Sequence, residues 1–475
     1  MKVIRNYLYN VGYQVLAIIV PLITSAYVSR VLRPEGVGAN AFTNSIIQYF
    51  ILIASMGIGY YGNRQIAYVR ENRQKMAKTF WEIQIVKTIM TLIALIAFEV
   101  FMMFYTRQPE YMWAQSINLV AVAFDISWFY EGIEDFKVTV LKNSFVKIVS
   151  MIAIFLLIKN PSDVTLYIIV LAVSTLLGNL TLWPNVRKDL PKVHVKTLNP
   201  WPHFWPMIEL FIPQIATQVY VQLNKTMLGG MVSETASGYY QYSDNLVKLI
   251  LALVTATGTV MLPHVANAVS QGSMTRVNQM LYKSFDFVPA LAYPMMFGIA
   301  AISLTLAPKY YGPGYEPVGH AMMIESIVIL MIAWSNAIGV QYLLPLNRVK
   351  QFTASVTTGA FVNVILNIPL IHFWGLNGAM WSTVISECSV TLYQLMVVRH
   401  SLSFKALFHG SWKYLVSGLI MFLVVFWMNR NLKDSWLMMG IEIVVGVLIY
   451  AVLVILLRAP VVYEARDLII QKLRK

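Results

Sequence analysis

Long apolar stretches follow one another from Tyr7 to Leu457, separated by short polar breaks. A helix needs about 20 mainly apolar residues to cross hydrocarbon, because its backbone polar groups must be satisfied within the segment. The pattern predicts an all-α integral membrane protein with about fourteen transmembrane helices. They cover residues 7–31, 39–61, 79–105, 111–131, 143–158, 164–183, 206–229, 237–262, 285–307, 317–345, 353–372, 378–398, 412–429 and 436–457.

The connections alternate in character. Those on one side are short, for example Arg33–Gly38, Thr106–Glu110, Gly230–Ala236 and Phe373–Asn377, and none has the length of a folded domain. The longest on the other side are Gly62–Lys78, Pro184–Trp205 and Pro263–Ser284. Pro184–Trp205 is rich in proline and charge and follows six spans, so it reads as a linker between two six-helix lobes, residues 1–195 and 196–400. Residues 401–475 add two helices and a basic tail.

Charge decides the orientation. The chain has 475 residues with a net charge of +14, yet only 12% of them are charged, against about 25% in soluble domains. With Arg30, Lys147 and Lys413 counted on the side their span ends adjoin, seven of the 36 Lys and Arg fall on the short-loop side and three (Lys87, Lys225 and Lys248) lie deeper within spans, leaving 26 on the other side. That asymmetry places the basic side and both termini in the cytoplasm, and it explains the positive balance without nucleic acid. The first apolar segment lacks a small-residue cleavage site and reads as a retained helix. The single cysteine, Cys388, lies within a span, so no intramolecular disulfide forms and no cysteine metal site is expected.

A faint internal repeat supports the two lobes. Aligning Gly38, after the first span, with Gly238, after the seventh, sets Asn44 opposite Asp244 and Gln48 opposite Lys248. Six plus six helices in one orientation is a transporter plan, with the substrate site between the halves.

Several motifs carry a resemblance. They are Tyr61-Gly-Asn-Arg64-Gln-Ile-Ala67, Asp125-Ile-Ser-Trp128-Phe-Tyr-Glu131-Gly132-Ile-Glu134-Asp-Phe-Lys137, and Asn224-Lys225-Thr-Met-Leu-Gly229 with Gly238-Tyr-Tyr240. Leu344-Pro345-Leu-Asn-Arg348-Val-Lys350 and Gly375-Leu-Asn-Gly378-Ala with Ser386-Glu387 continue the pattern, over residues 1 to about 400. The chain resembles the polysaccharide repeat-unit flippases of the multidrug/oligosaccharidyl-lipid/polysaccharide flippase superfamily, in their capsule, exopolysaccharide or O-antigen branch. The resemblance implies a substrate: an oligosaccharide on undecaprenyl diphosphate, moved from the cytoplasmic to the outer leaflet of a bacterial inner membrane. It also implies a polysaccharide polymerase and chain-length machinery as partners, beside the membrane lipids. Two positions depart from the family, Asn224 where Asp is common and Gln65 where Glu is frequent.

An ionisable residue in mid-span costs about 2.5–3.5 kcal/mol on insertion scales and usually faces protein or a watery cavity. The candidates for a substrate cavity are Arg30, Asn44, Arg64, Asp125, Trp128, Glu131, Lys225, Asp244, Lys248, Glu325 and Asn336. Lys248 with Asp244 one turn before it forms an i,i+4 pair, which serves either as a self-neutralised unit or as a cationic site for a diphosphate. Asp125 and Trp128 are spaced to share a helix face, the tryptophan either anchoring at the interface or stacking on sugar. Arg30 and Lys225 lie near the outer ends of their spans, Lys87 is placed to reach the inner interface beside Glu82, and Arg64 sits at the cytoplasmic mouth. Glu325 and Asn336 take a comparable place in the tenth span, and Asn363 and Asn367 read as hydrogen-bonding glue between helices.

No phosphate-binding loop and no His, Cys or carboxylate grouping with metal-site spacing is present, so neither cofactor nor metal is expected. The rival readings are a cation-coupled drug exporter of the same architecture, a membrane-embedded polymerase or glycosyltransferase, and a static scaffold. The short outer loops hold no paired carboxylates for an enzyme, and Lys225 and Lys248 suit an anionic substrate better than a cationic drug. The orientation is directly testable. Reporters fused after Lys78, Lys196, Arg399 and Lys475 should all read cytoplasm, and those at Glu110, Ala236 and Lys433 should read the outer side. A cytoplasmic signal at Ala236 would contradict two lobes in the same orientation.

Overall fold

The computed structural model describes residues 2–463, without the side chains of residues 2–15, 136, 187–189, 212–214, 216, 217, 219, 220, 256–264 and 270. The basic tail beyond residue 463 and the side chains of Arg187, Lys188 and Pro213 lie outside the described residues.

Among the described residues the regular elements are helices. They are α1 (Lys2–Ser55), α2 (Ile58–Val69), α3 (Arg73–Met102), α4 (Pro109–Phe124), α5 (Ser127–Gly132), α6 (Phe136–Leu157), α7 (Val164–Leu180), α8 (Trp183–Asp189) and α9 (Trp201–Met231). There follow α10 (Glu234–Ser270), α11 (Met274–Tyr311), α12 (Glu316–Glu325), α13 (Ile327–Ile338), α14 (Val349–Val398), α15 (Phe404–Leu407), α16 (Ser411–Asn431) and α17 (Trp436–Leu456). Nine stretches are long and apolar enough to cross a bilayer by length and composition among the described residues. Two of them are double. The helical run of α1 breaks at Arg33 (φ 59°) and that of α14 at Gly375 (φ 54°). Counting both arms of each, with α4, α9 and α10, gives fourteen crossings.

The breaks are tighter than the hydrophobicity pattern suggests. Arg33 alone leaves the helical region, because Pro34 restarts the helix at its first turn, where a proline's fixed φ suits and its missing N–H costs nothing. On the opposite side, α10 continues to Ser270 and α11 starts at Met274, so the expected loop Pro263–Ser284 is mostly helix. Polar residues there extend helices beyond the hydrocarbon and do not end them. Pro345 falls outside its expected span as well. The segment closes with a π-turn at Gly339–Leu343, and Pro345 sits in the turn that follows.

Packing groups the chain into two units, Met1–Gly238 and Tyr239–Lys475. In the first, α1 packs on α3, α4, α6 and α9, and α4 on α7. An aromatic core forms around Phe80, Trp128, Phe129 and Tyr130. In the second, α11 packs on α12, α13 and α16, α13 on α14, and α16 on α17.

The two glycines that mark the internal repeat meet in the first unit. A Cβ on Gly38 would lie 2.5 Å from the Glu234 carbonyl oxygen, and one on Gly238 would lie 2.8 Å from the Gly38 Cα. Backbone approaches this close require small residues, as is usual where membrane helices pack. Gly38→Val should therefore destabilise the protein by about 1–3 kcal/mol through overpacking, read as a lower melting temperature in detergent and lower membrane abundance. Gly230→Ala, with nothing within 4 Å of its added Cβ, should change neither. An unaltered Gly38→Val protein would refute the close approach.

Candidate functional site

The second unit gathers its buried charge where α10 faces α12. The 3.6-residue period of α10 places Asp244 and Lys248 one turn apart on one face. Lys248 Nζ donates to Asp244 Oδ2 at 2.8 Å, and 51% of the lysine side chain remains exposed. Asp244 also hydrogen-bonds to Glu325 on α12, which is 2% exposed and accepts a 2.5 Å bond from Ser243 Oγ. Glu387 on α14 acts on the Lys248 ammonium from further away. The result is an accessible cation held by one carboxyl and backed by a buried second. Such a group attracts an anion while its own position is fixed.

Asn336 stands apart from this cluster. It accepts from Gln341 Nε2 at 3.4 Å, while Gln341 Oε1 accepts from Ser284 Oγ at 2.9 Å. The tenth span is interrupted at Ser326, between α12 and α13, so Glu325 and Asn336 join different networks. Asn363 and Asn367 do act as glue: both are fully buried, Asn367 donates to Asn363 at 2.9 Å and Asn363 to Ser382 at 3.3 Å.

The first unit has a second charged centre. The fourth span breaks at Asp125, whose backbone is extended (φ −77°, ψ 108°), and α5 starts at Ser127. Asp125 and Trp128 therefore do not share a continuous helix face. The carboxylate turns back instead, accepting from Ser127 N at 3.1 Å and Ser127 Oγ at 2.6 Å, a local bond that competes with helix. Lys142 Nζ lies 3.5 Å from Asp125 Oδ1 and donates to Ser127 Oγ at 3.1 Å. Lys87 is buried and donates to the Asp125 carbonyl. It does not reach outward beside Glu82, because the carbonyl freed by the helix break offers it a nearer partner.

Trp128 is 3% exposed and stacks on Phe80 at 5.4 Å, with Gly62 so close against its ring that an added Cβ would collide with it. In this conformation it packs the core and presents no open face to a sugar. Glu131 accepts from Asn63 Nδ2 at 3.4 Å. Arg64 is exposed, 5.7 Å from the Tyr61 ring centroid. Arg30 is exposed just before the break at Arg33, and Lys225 is half-buried. Asn44 lies in an amide chain, donating to Gln115 Oε1 at 3.4 Å, while Gln115 Nε2 donates to Asn40 Oδ1 at 3.2 Å. In the loops of the basic side Arg70 and Glu134 pair at 2.6 Å, and that bond raises the guanidinium above its ordinary pKa.

One network leaves no trace in the sequence pattern. Glu82, 6% exposed on α3, accepts from Asn199 N at 2.7 Å and lies 3.1 Å from His203 Nε2, whose Nδ1 meets Tyr61 OH at 2.8 Å. It ties the loop after α8 to α2 and α3. Glu82 and its partners are far apart along the chain, so no spacing rule could have joined them. No group of three or more His, Cys, Asp or Glu among the described residues could hold a metal ion.

A bundle whose described elements are all helices, with paired charges inside its spans and short connections on one side, is the architecture of a multi-pass membrane transporter. Residues 3–269 match the model of the polysaccharide biosynthesis protein family, and the chain belongs to that family. It is 22% identical to a putative O-antigen transporter of Escherichia coli K12 over 402 residues, covering 84% of this chain and 97% of the relative. A lipid II flippase MurJ of Bacillus subtilis is 22% identical over 186 residues, covering 39% of this chain and 33% of the relative. Among solved structures, the lipid II flippase MurJ in an inward closed conformation superposes with a TM-score of 0.79 at 16% identity, covering 95% of this chain and 99% of that one. An inward-facing multidrug transporter of the MATE family gives 0.63 at 11% identity, covering 80% and 94%. These relatives are transporters and flippases, not enzymes.

Proposed function

We propose that the protein flips an undecaprenyl-diphosphate-linked oligosaccharide repeat unit from the cytoplasmic to the outer leaflet by alternating access, for cell-surface polysaccharide biosynthesis. On this reading it works in a bacterial inner membrane with both termini in the cytoplasm. Its two six-helix lobes divide near residue 195, and residues 401–475 form an appendage. A polymerase and chain-length machinery take up the product outside.

The observation that carries the reading is Lys248. A half-exposed ammonium in mid-span is expensive unless it faces water or an anion. Asp244 pairs with one side of the ammonium and the exposed side remains available to a diphosphate, whereas a cationic drug would be repelled. Family membership and the likeness to an O-antigen transporter point the same way. Arg30, Asn44, Arg64, Asp125, Glu131, Lys225, Glu325 and Asn336 remain the further candidates for contact with the substrate along its path. Trp128 would join them only if the transport cycle unstacked it from Phe80.

The lysine can be tested against its structural alternative. If it binds substrate, Lys248→Met should keep normal membrane levels and lose polymer yield by about tenfold or more, the effect of one charge-assisted contact worth about 1.5–3 kcal/mol. Adding Asp244→Asn should not rescue it. If the pair is only structural, Lys248→Met lowers abundance by leaving Asp244 unpaired, and the double variant restores both abundance and polymer. Recovery in the double variant would refute the binding role.

A further inference from the structure

A second basic site lies in the C-terminal part of the second unit, well away from Lys248 in sequence. A cavity of about 850 Å³ opens where α16 begins and α17 ends, lined by Asp286, Lys405, His409, Lys413, Arg458 and Tyr463 among others. On the orientation that the charge pattern predicts, this end of both helices faces the cytoplasm.

The cavity wall is built, not loose. A Cβ on Gly410 would collide with the Pro460 ring, so the start of α16 and the segment after α17 are in close contact. Tyr414 OH accepts from Val461 N at 3.1 Å, and Ala459 is fully buried. The end of α17 brings Arg458 to the cavity. Arg458 stands in the left-handed region (φ 51°), while Arg458 N and Ala459 N close the helix on Ile455 O and Val454 O, each at 3.0 Å. Glycine is the residue that such a helix end prefers, and any other side chain there is strained. Lys413 Nζ donates to the Arg458 carbonyl at 2.8 Å, which holds its ammonium at the cavity with two further donors.

The exposed side chains around the cavity point to the source of the ligand. Phe404, Trp412 and Tyr463, exposed by 41%, 54% and 44%, surround the site, as aromatic side chains do at headgroup level. Exposed Leu415, Leu419 and Leu456 continue along α16 and α17 toward the hydrocarbon.

We propose that this cavity binds the phosphate of an anionic phospholipid from the cytoplasmic leaflet, with the acyl chains lying along α16 and α17. Arg458 supplies the planar fork that fits phosphate oxygens, and Lys405 and Lys413 add point charges.

The test uses the full-length protein purified in a neutral detergent and titrated with phosphatidylglycerol, phosphatidylcholine or inorganic phosphate. Arg458→Gly removes the guanidinium while giving the helix end its preferred residue, so stability without lipid should hold or rise. Phosphatidylglycerol should bind and phosphatidylcholine should not. Arg458→Gly and Lys405→Ala should each weaken phosphatidylglycerol binding by about fivefold, the effect of one basic group at a membrane surface. Equal binding of phosphatidylcholine, or unchanged phosphatidylglycerol affinity in both variants, would overturn the site. Inorganic phosphate binding as tightly as the lipid would overturn the lipid as its source. Because the readout is lipid affinity, loss of this site and loss of the Lys248 reading are distinguishable.

Discussion

Hydrocarbon offers no hydrogen bonds, and that single constraint shapes nearly every feature of this chain. It makes the backbone helical wherever it crosses and narrows the breaks at Arg33 and Gly375 to a single residue each. It also favours a partner inside the protein for each buried polar side chain, although Trp128 Nε1 and Ser417 Oγ are buried without one. The pairs follow accordingly: Ser243 with Glu325, Asn367 with Asn363, and Asn429 with both Thr305 and Glu442. Where a helix does open, as at Asp125, the freed carbonyl is taken at once by Lys87. The cost of an unpaired group makes these contacts obligatory, whatever their net contribution to stability.

The same constraint explains what can be read from the sequence. Apolar length alone locates the fourteen crossings, because hydrophobic thickness fixes how many residues a helix needs. The Asp244–Lys248 pair is legible too, since helical spacing is enough to bring i and i+4 together. The break at Asp125 is not. The apolar pattern runs through it without interruption, and the decision rests on a local bond from Ser127 that competes with helix. Trp128 misleads for a related reason: its type suits both a sugar and an aromatic core, and only Phe80 and Gly62, distant in sequence, decide between them. The link from Glu82 to Asn199 and His203 is invisible because nothing local records it.

Two kinds of charge remain after this accounting. Lys87 and Lys142 are spent on Asp125 and Ser127, and they hold a helix break in place. Lys248 is different: Asp244 and Glu325 fix its position, yet half of its side chain stays open. A protein that only had to fold would gain by replacing the Lys248–Asp244 pair as a whole with apolar side chains. The proposed flipping of an anionic lipid carrier would have a use for it.

The central claim concerns which leaflet holds the intermediate. In a strain lacking this protein, lipid-linked repeat units should be complete, should stay on the inner leaflet out of reach of an impermeant probe, and should yield no polymer. Restoring the protein should make them accessible outside. Finding complete repeat units on the outer leaflet, unpolymerised, in the strain without the protein would contradict a flippase and indicate a polymerase.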